Sequence, residues 1–393
     1  MNGRQFGVGI TGVGRSPTGR ALYREPIELA VDGVIAAIND AGLRREDIDG
    51  LAAFVSDSGS VDALTLRDAV GLDVDWFTSS LIGPSQLSAL FDAAMAIETG
   101  RARHAVVFHA SCEGTVRKTL GSHGSVPGSA DAMPERVSNP VQLDMMPFGA
   151  PSVGNIVAMY ARRHFHEYGT TREQMAQIAL VQRANAGKFP DAIYSEPLTM
   201  ADYLSARMIS EPLCLFDCDV PIDFCSALVL SRIDSTYGLR REPVLIDSIA
   251  TAVRGRSSMI QFEDLTTMPL RDAAASLWTK TALTPADVDI AELYDGFSWL
   301  TMAWLEALGL CGKGESGPFI EGGRRISLDG ELPINTNGGQ LSSGRMHGWG
   351  YVPEACIQLW GEAGERQVSG TPHVAVIGCG GGLFGGALLL TKE

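Results

Sequence analysis

One stretch of this sequence recurs 240 residues further on. Residues 36–51 are Ala-Ala-Ile-Asn-Asp-Ala-Gly-Leu-Arg-Arg-Glu-Asp-Ile-Asp-Gly-Leu, and residues 275–293 repeat their plan: helix, leucine, three variable residues, aspartate, Ile or Val, aspartate, apolar strand. Leu43 matches Leu283, Asp47 matches Asp287 and Asp49 matches Asp289. A second parallel follows in the same order. Residues 93–107 run helix, Gly, charged turn, His104, apolar strand, and residues 354–377 run helix, Gly-Glu-Ala-Gly-Glu-Arg, His373, apolar strand. Two matched pairs in order indicate an internal duplication. The period is too long for a solenoid. Each half should therefore be a layered α/β unit, the two packed face to face, with a functional cleft where they meet. The halves divide at 1–242 and 243–393.

Hydrophobic periodicity fills in the first half. Residues 6–13, 50–55 and 104–110 fit strands; 26–42, 62–70 and 86–100 fit helices, with Gly42 and Gly100 as stops. This β-α-β-α-β rhythm predicts helices packed on a sheet. Residues 113–151 are rich in Gly, Ser, Pro and Met and lack periodicity, which predicts a long loop opening an excursion that extends to about 215. Within the excursion, 154–167 and 171–186 fit helices, with Thr170 or Thr171 capping the second. Residues 224–232 form an apolar strand that closes the half.

The charge balance, 31 basic against 46 acidic residues for a net −15, argues against nucleic acid as a partner, because phosphate backbones require basic surface. No signal-peptide h-region opens the chain, and its longest weakly polar stretch, 374–390, is broken by six glycines. No membrane association and a cytoplasmic location are expected. Seven cysteines at irregular spacing include no CxxC pair, so no metal site is expected. His164 and His166 stand two apart on a helix and face different sides. Gly7-Val8-Gly9-Ile10-Thr11-Gly12 has the letters of a dinucleotide fingerprint but stands at the beginning of the chain, without the strand-then-helix context. No cofactor bound by this chain is expected.

Four segments could carry chemistry: 79–86, 294–297, 335–347 and 378–386. Tyr294 ends the repeated strand, on the usual ligand side of an α/β unit, as either a proton donor and acceptor or a core tyrosine with a satisfied hydroxyl. Asn337, Arg345 and His347 belong to a loop of glycines and polar residues. His347 sits among glycines, and Arg345 is either an anion clamp or a surface residue. Cys379 lies in Gly378-Cys379-Gly380-Gly381-Gly382, as a reactive thiol or as a small residue in a crowded turn.

Taken together, these segments resemble the thiolase superfamily, most closely its lipid-transfer-protein or sterol-carrier-protein-X thiolase-like branch. The resemblance spans nearly the whole chain. It includes Ser210-Glu211-Pro212-Leu213, Gly309-Leu310-Cys311-Gly312-Lys313-Gly314, Leu332-Pro333-Ile334-Asn335-Thr336-Asn337-Gly338-Gly339 and the terminal glycine-rich turn. It implies a thiolase-like α/β fold, two pseudo-symmetric halves in an αβαβα sandwich, a homodimer, and acyl-CoA thioester substrates. It also locates the family's catalytic positions, and the sequence departs from them. The nucleophilic cysteine would fall near Gly83, yet no Cys precedes Cys112. Tyr294 stands for the Asn or His of the family's Asn-Glu-Ala-Phe or His-Asp-Cys-Phe motif. Arg345 stands for the Gly-His-Pro histidine, with His347 two residues on. Gly378 stands for the second cysteine, with Cys379 one residue off.

Without that cysteine, covalent acyl transfer of the family kind is closed. A thioester pocket and donors for an enolate oxygen remain. The resemblance therefore implies C–C bond chemistry without an acyl-enzyme, as in the steroid side-chain aldolases of the branch: retro-aldol cleavage of a β-hydroxyacyl-CoA. Tyr294 and His347 would move the protons, with Arg345 and Cys379 beside them. Gly83, Asn337, Gly380 and Gly381 would line the substrate and hold the enolate. A small OB-fold/zinc-ribbon partner is expected, carrying the zinc. The alternatives are an acyltransferase subunit and a non-catalytic acyl-CoA-binding scaffold.

Overall fold

The computed structural model describes residues 6–56, 59–80, 85–120, 145–150, 152–254, 260 and 262–393. The strands are β1 (Val8–Arg15), β2 (Gly50–Phe54), β3 (Trp76–Ser80), β4 (His104–Cys112), β5 (Met208–Ser210), β6 (Leu213–Cys214), β7 (Asp223–Arg232), β8 (Val244–Val253), β9 (Ile290–Leu293), β10 (Val374–Gly380) and β11 (Phe384–Thr391). The main helices are α1 (Pro26–Asp40), α2 (Ala63–Val70), α3 (Ser88–Glu98), α4 (Glu113–Leu120), α5 (Val153–Tyr168), α6 (Arg172–Ala186), α7 (Leu270–Trp278), α8 (Ser298–Ala307) and α9 (Tyr351–Trp360). Among the described residues no helix is long and apolar enough to cross a membrane.

The strand order β3-β2-β4-β7-β1-β8-β11-β10-β9 contains a mirror. Parallel β2/β4 and antiparallel β4/β7 and β7/β1 correspond to parallel β9/β10 and antiparallel β10/β11 and β11/β8. Among the described residues β3 has no counterpart in the second half. The halves join edge to edge where β1 pairs with β8 at Gly9↔Leu245 and Ile10↔Val244, a contact that face-to-face packing alone did not include.

Central strands are buried on both faces, as their near-continuous apolar sequences require. Val106 and Phe108 of β4 pack with Leu29, Val34 and Leu66 of α1 and α2. Val107 faces the other way, into a core shared by Leu90 and Ile97 of α3 and by the second half. α9 contacts β9 and β10, and also β1 and β7, so it bridges the halves. α1 lies so close to β1 that a Cβ on Gly14 would come within 2.2 Å of the Gly33 carbonyl oxygen. Gly9 and Gly12 of the apparent dinucleotide fingerprint thus lie within a strand that needs glycine for helix contact, a Cβ on Gly12 falling 2.5 Å from the Ala37 carbonyl oxygen.

The repeated aspartates have repeated work. Asp49 Oδ1 accepts the backbone N–H groups of Arg103 (2.8 Å) and His104 (2.9 Å) at the start of β4. Asp289 Oδ2 accepts those of His373 (2.7 Å) and Val374 (2.9 Å) at the start of β10. Asp47 and Asp287 each accept a backbone N–H at 2.8 Å, from Arg44 and Thr284, in matching short turns. Asp49→Ala and Asp289→Ala should each lower stability by about 1–2 kcal/mol, since each leaves two amides without a charged acceptor. Urea unfolding measures it; a loss at one site and none at the other would break the equivalence.

Two elements depart from expectation. β3 forms where no strand was predicted, as a five-residue edge strand of alternating burial. The loop expected from residue 113 begins instead as α4. Thr115 N–H in its first turn is bound by Asp223 Oδ1 of β7 at 2.8 Å, an acceptor 108 residues away.

Candidate active site

Three segments are stitched together beyond the C-terminal end of β9. Tyr294 N–H donates to the Gly378 carbonyl at 2.8 Å. Asp219 N–H donates to the Gly296 carbonyl at 3.2 Å, and Arg345 N–H donates to the Val220 carbonyl at 2.7 Å. Asp295 fixes the 335–347 loop by accepting from the Gln340 (2.9 Å) and Leu341 (3.3 Å) amides and from the Tyr351 hydroxyl. Asn335 adopts φ +46°, and its amide both accepts from and donates to the Leu293 backbone, at 2.7 and 2.9 Å.

These contacts bring Tyr294, Arg345, His347 and Cys379 into one neighbourhood and add two acids. Arg345 Nη2 lies 2.5 Å from Glu113 Oε1, and its Nη1 lies 3.3 Å from Asp219 Oδ1. His347 Nε2 is 3.9 Å from Glu113 Oε2. Arg117 Nη2 reaches the same oxygen of Glu113 at 2.8 Å. Arg345 is therefore neutralised by protein carboxylates, and its chemistry differs from that of a free anion clamp. His347 has φ +51°. A non-glycine residue in that region is strained, and such strain concentrates at functional sites. Its ring faces His109, with centroids 5.8 Å apart. Burial first, and then the nearby His347, pushes the His109 imidazole well below its usual value.

The acids are driven apart by their surroundings. Burial opposes ionisation of Glu113, but Arg345, His347 and Arg117 overcome it and hold the carboxyl down at about 2. Burial dominates at Asp219 and pushes it up to about 7, against the pull of Arg345. Burial, then Asp219 and Cys379, pushes the Tyr294 phenol up, so it rests protonated. A buried Asp295 rises to about 6 but is occupied by its three donors. Groups whose environments separate their proton affinities are the raw material of acid–base catalysis.

Cys379 is fully buried. Its Sγ approaches carbonyl oxygens: Gln86 Oε1 at 3.5 Å and His347 O at 3.8 Å. Burial raises its pKa. A thiol aimed at carbonyls stays a thiol and is a poor nucleophile. Gly348 has to be glycine here, since a Cβ would sit 2.2 Å from that sulfur.

The remaining predicted positions lie around this cluster or apart from it. Gly83 lies outside the described residues. Gly380 accepts from Trp304 Nε1 at 3.0 Å and lies beside Gln86. Gly381 packs on Leu300, and Gly382 N–H points to Met268 Sδ at 3.3 Å. Asn337 is a local brace: its Oδ1 accepts from Gly339 N–H at 3.0 Å, and it lines a small closed cavity with Phe189 and Tyr351. Two open grooves, of about 430 Å³ beside Arg162 and His166 and about 520 Å³ beside Lys188 and Arg366, involve none of the cluster. Within the cluster the side chains of Arg345 (16% exposed), Glu113 (18%) and His347 (23%) are the most open. Among the described residues no three His, Cys, Asp or Glu side chains are grouped to hold a metal ion.

Such a fold, two mirrored α/β halves joined in one sheet, defines a thiolase-like protein. Residues 251–391 match the family described as Thiolase C-terminal domain-like. The chain is 33% identical over 353 residues to the steroid side-chain-cleaving aldolase of Thermomonospora curvata, covering 88% of each chain. It is 33% identical over 379 residues to the 17-hydroxy-3-oxo-4-pregnene-20-carboxyl-CoA lyase of Mycobacterium tuberculosis, covering 93% of this chain and 95% of that one. The solved Ltp2-ChsH2(DUF35) aldolase superposes with a TM-score of 0.86 at 31% identity, covering 100% of this chain and 98% of that chain. The chain belongs to the thiolase superfamily, in its sterol-carrier-protein-2-like aldolase branch.

Proposed function

We propose that this protein is an aldolase that cleaves a β-hydroxyacyl-CoA in the retro-aldol direction, without an acyl-enzyme. The observation that carries this is the half-buried Tyr294–Asp219–Arg345–Glu113 cluster in a chain with no cysteine before residue 112. The aldolase and lyase named above support it. The β-hydroxyl loses its proton, the Cα–Cβ bond breaks, and its electron pair passes into the thioester as an enolate. The Cβ fragment leaves as a ketone or aldehyde, and the enolate takes a proton at Cα. Tyr294, with His347, exchanges these protons. The backbone around Gly380 and Gly381 holds the enolate oxygen.

The protein works in a hetero-oligomer with a DUF35-type partner, a small OB-fold/zinc-ribbon protein. A second copy pairs along the outer edge of β3, where Phe77 is 51% exposed. The test mixes the purified protein and its partner with a β-hydroxyacyl-CoA. A ketone or aldehyde plus a shortened CoA ester is the expected outcome. Free CoA with an acylated acceptor would instead mean a transferase. Tight binding without turnover would mean a scaffold.

A further inference from the structure

Retro-aldol cleavage needs somewhere to put the hydroxyl proton, and a phenol that rests protonated cannot keep it. Three acids stand in the neighbourhood: Asp295 next to Tyr294 in the chain, and Asp219 and Glu113 on either guanidinium nitrogen of Arg345. Glu113 is clamped between Arg345 and Arg117, 2.5 and 2.8 Å away. Asp295 is consumed by two backbone amides and the Tyr351 hydroxyl. Asp219 differs from both. Its backbone is tied to Gly296, two residues from Tyr294, and the next residue, Val220, is tied to Arg345. Its side chain is 9% exposed, with Arg345 at 3.3 Å on one oxygen. The Tyr294 ring folds back over Gly296, so that a Cβ there would lie 2.8 Å from ring atom Cε1. The Asp219 backbone and the Tyr294 ring thus meet at Gly296, and after burial the Asp219 carboxylate is the foremost influence on the phenol.

We propose that Asp219 stores the proton that Tyr294 takes from the substrate β-hydroxyl. This rests on the lyase reading. As the substrate O–H proton moves to the Tyr294 oxygen, the phenol proton moves to Asp219. The Cα–Cβ electron pair becomes the enolate. The stored proton then returns through Tyr294 to Cα, so the cycle consumes no co-reactant. Asp219 acts through Tyr294 and is a positioning residue. Besides Tyr294, the charged groups that bear on it are Arg345, Glu113, Asp295 and Arg117, and only the arginines favour its ionised form. The balance leaves it with an affinity near 7, basic enough to accept a proton and acid enough to return it.

Asp219 must be ionised to accept, so kcat/KM of the complex with its partner should rise through pH 7 and level off above it. Asp219→Asn should lower kcat about 100-fold or more and remove that acid limb, with KM for the CoA ester little changed. Asp219→Glu should restore part of kcat and the limb. Infrared difference spectra of the protein alone give a second readout: beside the bands of the raised Asp295 and Glu292 carboxyls, one protonated-carboxyl band titrates near pH 7 and is absent in Asp219→Asn. An acid limb that survives in Asp219→Asn, or survival of that band, overturns the proposal. A wild-type complex that cleaves no β-hydroxyacyl-CoA while keeping the Asp219 band overturns the lyase reading, and with it the storage role, whereas a cleaving complex without the band overturns the storage role alone.

Discussion

Tyr294→Phe should abolish cleavage, with kcat lower by about 100- to 10,000-fold, while folding and CoA-ester binding stay as they were. The substitution removes one oxygen and keeps the ring that folds over Gly296. The residue's backbone bond to Gly378 is also retained. Thermal melting should shift little, and calorimetric titration with the CoA ester should give an unchanged Kd. A variant that still cleaves at near wild-type rate would remove Tyr294 from the proton path. A variant that melts far below the wild type would make its hydroxyl structural.

Arg345→Ala should be the most destabilising change at the site. It leaves Glu113 and Asp219 facing one another without their shared cation. Breaking one side of a buried ion pair typically costs about 3–5 kcal/mol. The sign of the pH dependence follows from Glu113. Its carboxyl is held at about 2 in the folded protein against an ordinary 4.5, so the stability it contributes is full above that ordinary value and lost as pH falls through 2. Without Arg345 the largest part of that contribution is lost, with only His347 and Arg117 left to hold the carboxyl down. The gap between variant and wild type should therefore be widest at neutral pH and close in acid. Glu113→Gln added to Arg345→Ala should recover part of the loss. Denaturant titrations at neutral and acidic pH measure this; a gap of constant size would show that the arginine stabilises by packing alone.

How much of this was legible in the sequence depends on whether the cause was local. The duplication was, because Asp49 and Asp289 each buttress the start of a neighbouring strand and both left a mark at the same spacing. Strands β4 and β7 were, because burial on both faces writes a continuous apolar run. β3 was hidden, since a five-residue edge strand buries too little to impose a pattern. α4 was hidden because the acceptor for its first turn, Asp223, comes from a distant strand. The site shows the same division. Tyr294, Arg345, His347 and Cys379 stood in glycine-rich segments at strand and helix ends. Asp219 stood between two other aspartates with nothing local to separate them. Asp217 accepts from the Tyr203 hydroxyl at 2.7 Å, and Asp223 accepts from Leu22 and Thr115; only Asp219 meets Arg345. Glu113 did leave one signal: it is the first charge after an apolar strand, at the end where α/β units bind ligands. Arg345 carried its charge in plain view, but the two acids that neutralise it are 232 and 126 residues away in sequence (345 − 113 and 345 − 219).

The central claim is that the CoA ester is cleaved without ever being bonded to the protein. Intact-mass spectrometry of the chain, quenched during a single turnover of a β-hydroxyacyl-CoA with the partner present, tests it most directly. The unmodified polypeptide mass throughout, while ketone or aldehyde and shortened CoA ester accumulate, is the predicted result. A transient gain equal to the acyl group, on Cys379 or any other side chain, would contradict it.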